Sequence, residues 1–524
     1  MQPRVYTFLF ICLTFLYTSA VTANVNALDP RQPFTASVTE IRAQFAEGSL
    51  TSEALVRYYL ARIGAHNHTG AELHAVNALL PSEQILALAR QADAERAAGK
   101  AQGLLHGIPV LLKDNIDSAD GLANTAGSIH LQDNFPAEDA FIVKQLRAAG
   151  ALIIGRANLS EWANFRSTNS SSGWSSAGGQ AKNPHDVTRS TCGSSAGSAS
   201  AVAAHFVTLA VGTETDGSLV CPAAVNGIVT IKPTVGLLSR NGIIPISHSQ
   251  DTAGPMAKTV TDAVYMLQAM VGADTRDSRS FEPGVDFTQH LDRDGLKGKR
   301  IGILRDLTGY HAGTDQVFEQ QLQVLRDAGA VLVDELEYPA GRGWGGDEFT
   351  VLLHEFKRDL NQYLATATTE VESLEALIAL NNSTAHSAMP HFGQELFVMA
   401  QARTAADEEA YRSARDNARK LAGEQGIDAL LATHNLDMLI APTTAPAWKI
   451  DHINGDHYQG SASSGPAVAG YPHISVPMGR VGHLPVGLSF FAGAGSEATL
   501  IEAAYAFEQL TQARVDAQFA ASGF

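Results

Sequence analysis

Cysteine is scarce in this 524-residue chain, with three in all: Cys12, Cys192 and Cys221. No CxxC pair and no Cys/His cluster at metal-ligand spacing occurs, which argues against a structural zinc site and gives no reason to invoke any metal or cofactor. Basic charge is short too. Lys and Arg number 37 against 54 Asp and Glu, a formal net charge of −17 that suits neither nucleic acid nor an anionic membrane surface. No unit of about 20 residues recurs, which excludes a solenoid. Aromatics make up 7% and charged residues 17%, while 45% hydrophobic content over this length is ample for a large buried core.

Long apolar runs are also missing, apart from one at the N-terminus. Arg4 precedes an apolar stretch from Val5 to Tyr17, followed by small residues with Val21-Thr-Ala23 and Val25-Asn-Ala27 as cleavage sites. The stretch is short for a membrane span of about 20 residues. Residues 1–27 are therefore expected to be a cleaved export segment, leaving residues 28–524 as one periplasmic or secreted domain with no stable membrane association. Cys192 and Cys221 then remain, and both a disulfide and two buried thiols stay open.

Downstream of this segment the chain alternates between helix and strand patterns. Ser37-Val-Thr-Glu40 has the spacing of a capping box, with Gly48 as the stop. A second helix pattern covers 52–63. Apolar strand candidates lie at 108–112, 151–154, 206–211, 300–304, 437–441, 474–476 and 486–490, with helices over 139–149 and 198–205. Such alternation predicts an α/β fold with helices on both faces of a sheet. The segment 345–435 reads as helical and more charged, an insertion expected to shape the rim of a pocket.

The chemistry concentrates in two glycine-rich stretches carrying Ser194 and Ser218. Glycine-rich backbone beside a hydroxyl leaves N–H groups free to face a developing oxyanion, the requirement of acyl transfer. Gly193-Ser-Ser195-Ala-Gly197 also fits G-x-S-x-G, which would make Ser195 a nucleophile. That motif works on a tight turn directly after a buried strand, whereas residues 183–192 are polar and turn-forming. Lys113 offers a better base, because it ends the apolar run Ile108-Pro-Val-Leu-Leu112, where an ammonium loses hydration and its pKa falls. A lone lysine at a strand end is ordinarily a surface charge. Its weight here comes from the two serine loops.

These stretches resemble the amidase signature hydrolases. The shared motifs are Gly107-Ile-Pro-Val-Leu-Leu-Lys113-Asp, Thr125-Ala-Gly-Ser128, Gly155-Arg-Ala-Asn-Leu-Ser-Glu161, Gly212-Thr-Glu-Thr-Asp-Gly-Ser218, Lys232-Pro-Thr-Val-Gly236, Asp251-Thr-Ala-Gly-Pro255 and Leu484-Pro-Val-Gly-Leu488. The resemblance implies a single α/β/α domain around a mixed, largely buried sheet and a Ser–cis-Ser–Lys triad without metal or cofactor. Carried over by position, Ser218 is the nucleophile, Lys113 the base, and Ser194 the bridge between them in a cis peptide with Gly193. The N–H groups of Thr215, Asp216, Gly217 and Ser218 form the oxyanion hole. Trp174, Gly178-Gly-Gln, the Glu-Thr-Asp-Gly-Ser loop and the two cysteines look most like the peptide-amide-cleaving branch of the family, which implies release of ammonia from C-terminal peptide amides.

Departures from the family pattern leave roles open. Cys192 and Asp216 stand where glycine is frequent. Asp216 either meets substrate N–H groups or turns away to fix its loop, and Asn164 either holds substrate backbone or caps a turn. Other readings are an amidase for aliphatic, aryl or fatty amides, a tRNA-dependent amidotransferase subunit, which an export segment opposes, and an exported peptide-binding protein, which has no need of Lys113. Oligomeric state is not legible.

Overall fold

The computed structural model describes residues 28–519, so the expected export segment lies outside the described residues. Ser37 and Glu40 close the capping box around helix Val38–Glu47, and Gly48 ends it in the left-handed region at φ 71°. Helix Ser52–His66 follows as the second pattern requires.

Eleven strands form one mixed sheet. In spatial order they are Val76–Leu79, Leu152–Ala157, Pro109–Lys113, Leu209–Glu214, Thr252–Ala257, Val229–Lys232, His473–Val481, Leu484–Phe491, Met438–Pro442, Arg300–Leu304 and Val331–Leu336. The pairs around Pro109–Lys113 and around Arg300–Leu304 are parallel, and the middle of the sheet is antiparallel. The α/β/α architecture with a mixed, buried sheet is thus present.

Strand period 2 sorts the side chains between two cores. Val110 and Leu112 join the core that holds Leu209 and Val211, whereas Leu111 and Ala210 join the core beneath the small-residue helix Ala196–Ala203. Lys113, two residues beyond Leu111, shares the latter side by parity, and this brings it toward the first serine loop. The strand expected at 206–211 begins later, at Leu209, and continues to Glu214, so the ladder runs straight into the second serine loop.

The 345–435 segment is helical, beginning with Gly345–Leu364 and including Glu395–Gln401 and Glu408–Arg419. Phe356 and Phe397 of these helices pack on Phe165 and Trp162. A fully buried Arg166 fastens the segment further. Its Nη1 donates to Glu161 Oε1 at 2.5 Å and to the Ala388 carbonyl at 2.6 Å, and its guanidinium lies 4.3 Å from the Phe392 ring centroid.

Candidate active site

Lys113 has no exposed surface. Its Nζ lies 2.7 Å from Ser194 Oγ, 2.8 Å from Thr213 Oγ1 and 3.2 Å from the Thr213 carbonyl. Burial pulls its pKa down to about 7, against a smaller opposing pull from Asp251 and Glu214. A neutral amine has two N–H donors and one lone pair. With both donors on the two Thr213 oxygens, the lone pair faces the Ser194 hydroxyl.

Thr213 carries no signal of its own in the sequence, although it stands inside the Gly212–Ser218 motif. Its Oγ1 also accepts from Asn115 Nδ2 at 3.0 Å, and its carbonyl accepts from Ser195 Oγ at 2.9 Å. Ser195 is therefore turned into the scaffold. Its N–H donates to the Ser218 carbonyl at 3.1 Å, which joins the two serine loops directly.

The Gly193–Ser194 peptide is cis. A Cβ at Gly193 would meet Ser160 Oγ at 2.1 Å and Asn164 Oδ1 at 3.0 Å, so a side chain there requires Ser160 to move. Gly217 holds φ 79°, a left-handed conformation that glycine adopts without cost, immediately before Ser218. Among the described residues, no carbonyl takes the N–H groups of Asp216, Gly217 or Ser218. Glu214 closes the loop from below, with Oε2 accepting the N–H groups of Leu219 at 2.8 Å and Val220 at 3.1 Å.

Ser218 opens on a cavity of about 270 Å³, whose wall includes Asn164, Gly193, Asp216, Leu352, Trp448 and Tyr458. Asn164 has φ 69° and donates from Nδ2 to Ser170 Oγ at 3.2 Å, while its Oδ1 has no partner among the described residues. Asp216 lines this cavity and, with Glu348, Ser463 and Ser464, an adjoining one, and its Oδ1 is buried without a hydrogen-bond partner among the described residues. A larger cavity of about 570 Å³ lies on the Thr213 side, lined by Asn115, Arg240, His248, Asp251 and Tyr363, and it contains neither serine.

Cys192 and Cys221 are joined in a disulfide, with Cα atoms 6.0 Å apart, which settles the alternative the sequence left open. The bridge packs against Val225, Ala447 and Trp448.

The amidase family model matches residues 54–501 of the chain. The structure of a peptide amidase in complex with the competitive inhibitor chymostatin is 50% identical, with a TM-score of 0.90 over 92% of this chain and 99% of that one. The native peptide amidase of Stenotrophomonas maltophilia is 49% identical, with a TM-score of 0.89 over 93% and 99%. A probable amidase of Arabidopsis thaliana is 40% identical over 501 residues, which cover 93% of this chain and 92% of that protein. A glutamyl-tRNA(Gln) amidotransferase subunit of Synechococcus is 32% identical over 482 residues, covering 90% and 92%.

Proposed function

This chain belongs to the amidase family, and on that premise we propose that it hydrolyses C-terminal peptide amides to ammonia and the peptide acid through Ser218, Ser194 and Lys113. Ser218 Oγ attacks the amide carbonyl. Its proton passes to Ser194 Oγ, whose own proton moves to the Lys113 lone pair. The oxyanion that develops is met by backbone N–H groups of the 215–218 loop, worth about 3–4 kcal/mol per donor in acyl transfer. Lys113 then returns a proton through Ser194 to the departing nitrogen, which leaves as ammonia. Water gives a proton along the same relay to Lys113 and attacks the acyl carbonyl, and Lys113 returns that proton through Ser194 to Ser218 Oγ as the peptide acid leaves. Each group ends in its starting state, and no metal is required.

The observation that carries this reading is the 2.7 Å contact between a fully buried lysine and Ser194 Oγ. The choice of peptide amides is supported by the 50% identity to a peptide amidase, against 32% to the amidotransferase protein. The test is a mass-spectrometric screen of peptide amides, fatty amides, aryl amides and simple aliphatic amides. Products are expected from peptide amides, and none from Ser218→Ala, which still binds them. Conversion of aliphatic or aryl amides alone would overturn the substrate class. Wild-type ammonia release by Ser218→Ala or Ser194→Ala would overturn the relay.

A further inference from the structure

Helix Gly345–Leu364 turns a stripe of acids inward. Glu348, Glu355 and Asp359 are spaced so that they fall on one face, and all three are buried. Two of them hold the segment before Asp251. Glu355 accepts from the Ser249 N–H at 3.0 Å and from Ser249 Oγ at 2.6 Å, and Asp359 accepts from the His248 N–H at 3.1 Å. Asp251 in turn takes the Thr215 hydroxyl at 2.5 Å and the N–H groups of Ile246 and Ser247, each at 2.8 Å.

Glu348 reaches the serine loop more directly. One side-chain amide, that of Gln250, donates to Glu348 Oε1 at 2.9 Å and to the Thr215 carbonyl at 3.3 Å. Glu348 and Asp216 also line one cavity, where Asp216 Oδ1 is buried without a hydrogen-bond partner among the described residues. Ser463 and Ser464 line the same cavity, and Ser464 Oγ accepts from Trp344 Nε1 at 2.8 Å.

We propose that Glu348 is a positioning residue for the oxyanion loop: protonated, it donates to Asp216 while its Oε1 anchors Gln250 beneath the Thr215 carbonyl, so that residues 215–218 keep their N–H groups on the reacting carbonyl. This role rests on the amidase chemistry proposed for Ser218. Burial and the neighbouring Asp216 charge both raise the Glu348 pKa well above the usual carboxylate range, and burial raises that of Asp216. The charged and titratable groups facing the pair are Glu214 and Lys232 behind it, and Arg342 and Tyr458 around the adjoining cavity. When the second proton is lost at alkaline pH, two adjacent carboxylates repel and the loop loses its clamp.

The test compares Glu348→Ala and Glu348→Gln. Alanine should lower kcat by about tenfold or more while leaving KM within about threefold, since the loop acts on the transition state. Glutamine supplies a permanent N–H to Asp216 and a carbonyl to Gln250, so it should recover most of the lost kcat and abolish the alkaline fall. Hydrogen exchange of the peptide over residues 213–221 gives a readout independent of turnover, expected to be faster in Glu348→Ala and unchanged in Glu348→Gln. Wild-type kcat in Glu348→Ala, an unshifted alkaline limb in Glu348→Gln, or equal exchange in all three proteins would overturn the inference. Failure of wild-type protein to release ammonia from any amide would instead overturn the amidase reading and leave the exchange result to decide the positioning role. Should Glu348→Ala fail to fold, the alkaline limb of Glu348→Gln decides.

Discussion

A lysine without hydration keeps its proton only at a cost, and Lys113 meets that cost in two measurable ways. Its amine is neutral above about pH 7, so kcat/KM should rise with pH up to about 7 and stay level until the alkaline fall expected from Glu348. Lys113→Met should lower ammonia release by about 10²–10⁴-fold, the usual worth of a general base. The stability effect also rises with pH, but over a higher window. An unfolded lysine stays protonated to about pH 10.4, so between about 7 and 10 the unfolded chain binds one proton more than the folded chain. Stability from this residue therefore rises with pH across that window, and the penalty is complete below about 7. Lys113→Met should lose that dependence and unfold at or above the wild-type midpoint at pH 7, as thermal unfolding across the pH range would show. The three side chains of the proposed relay stand out in the sequence because each sits in a motif with its own local logic. Thr213 is not, because its role is to fill the two other positions around Nζ, and only the packed strand brings it there. Asp216 is legible as an oddity but not in direction, since Glu348 and Ser463 come from distant parts of the chain.

Among the elements, a helix with a capping signal and one apolar face can be read directly, as in Val38–Glu47. The strands Val229–Lys232 and Thr252–Ala257 leave no such signature, because both are buried along their length and show no alternation, and the latter carries Gly254 and Pro255. Polar anchoring between elements is equally invisible. Arg166 illustrates it, since its partners span Glu161 to Phe392. Arg166→Met leaves Glu161 buried without its charged partner, which costs about 3–5 kcal/mol. The expected outcome is a lower urea midpoint. The double variant Glu161→Gln/Arg166→Met should regain part of the loss, because no uncompensated charge is then left inside.

For the molecule as a whole, the disulfide spans 29 positions and encloses both serines. Closing a loop of that length stabilises by about 3–4 kcal/mol through the unfolded chain. Reduction, or the Cys192→Ala/Cys221→Ala pair, should therefore lower the thermal midpoint, with thiol content checked by mass spectrometry. Such a bond persists in an oxidising compartment, which agrees with the proposed export of the chain. Expressed with residues 1–27, the protein should be recovered outside the cytosol with an N-terminus following Ala23 or Ala27. Cytosolic protein that retains Met1 would count against export.

The spatial order of the sheet keeps the six strands from residues 76–257 on one side and the five from residues 300–491 on the other, and both halves of the chain line the pocket. Both hydroxyls and the amine are written before residue 219, whereas Leu352, Trp448 and Tyr458, which close the cavity, are written after residue 340. Recombination between genes downstream of residue 300 would thus exchange Leu352, Trp448, Tyr458 and the Glu348 anchor together, leaving Lys113, Ser194 and Ser218 in place, so that a change in what the cavity admits is inherited along with a change in the support of the 215–218 loop.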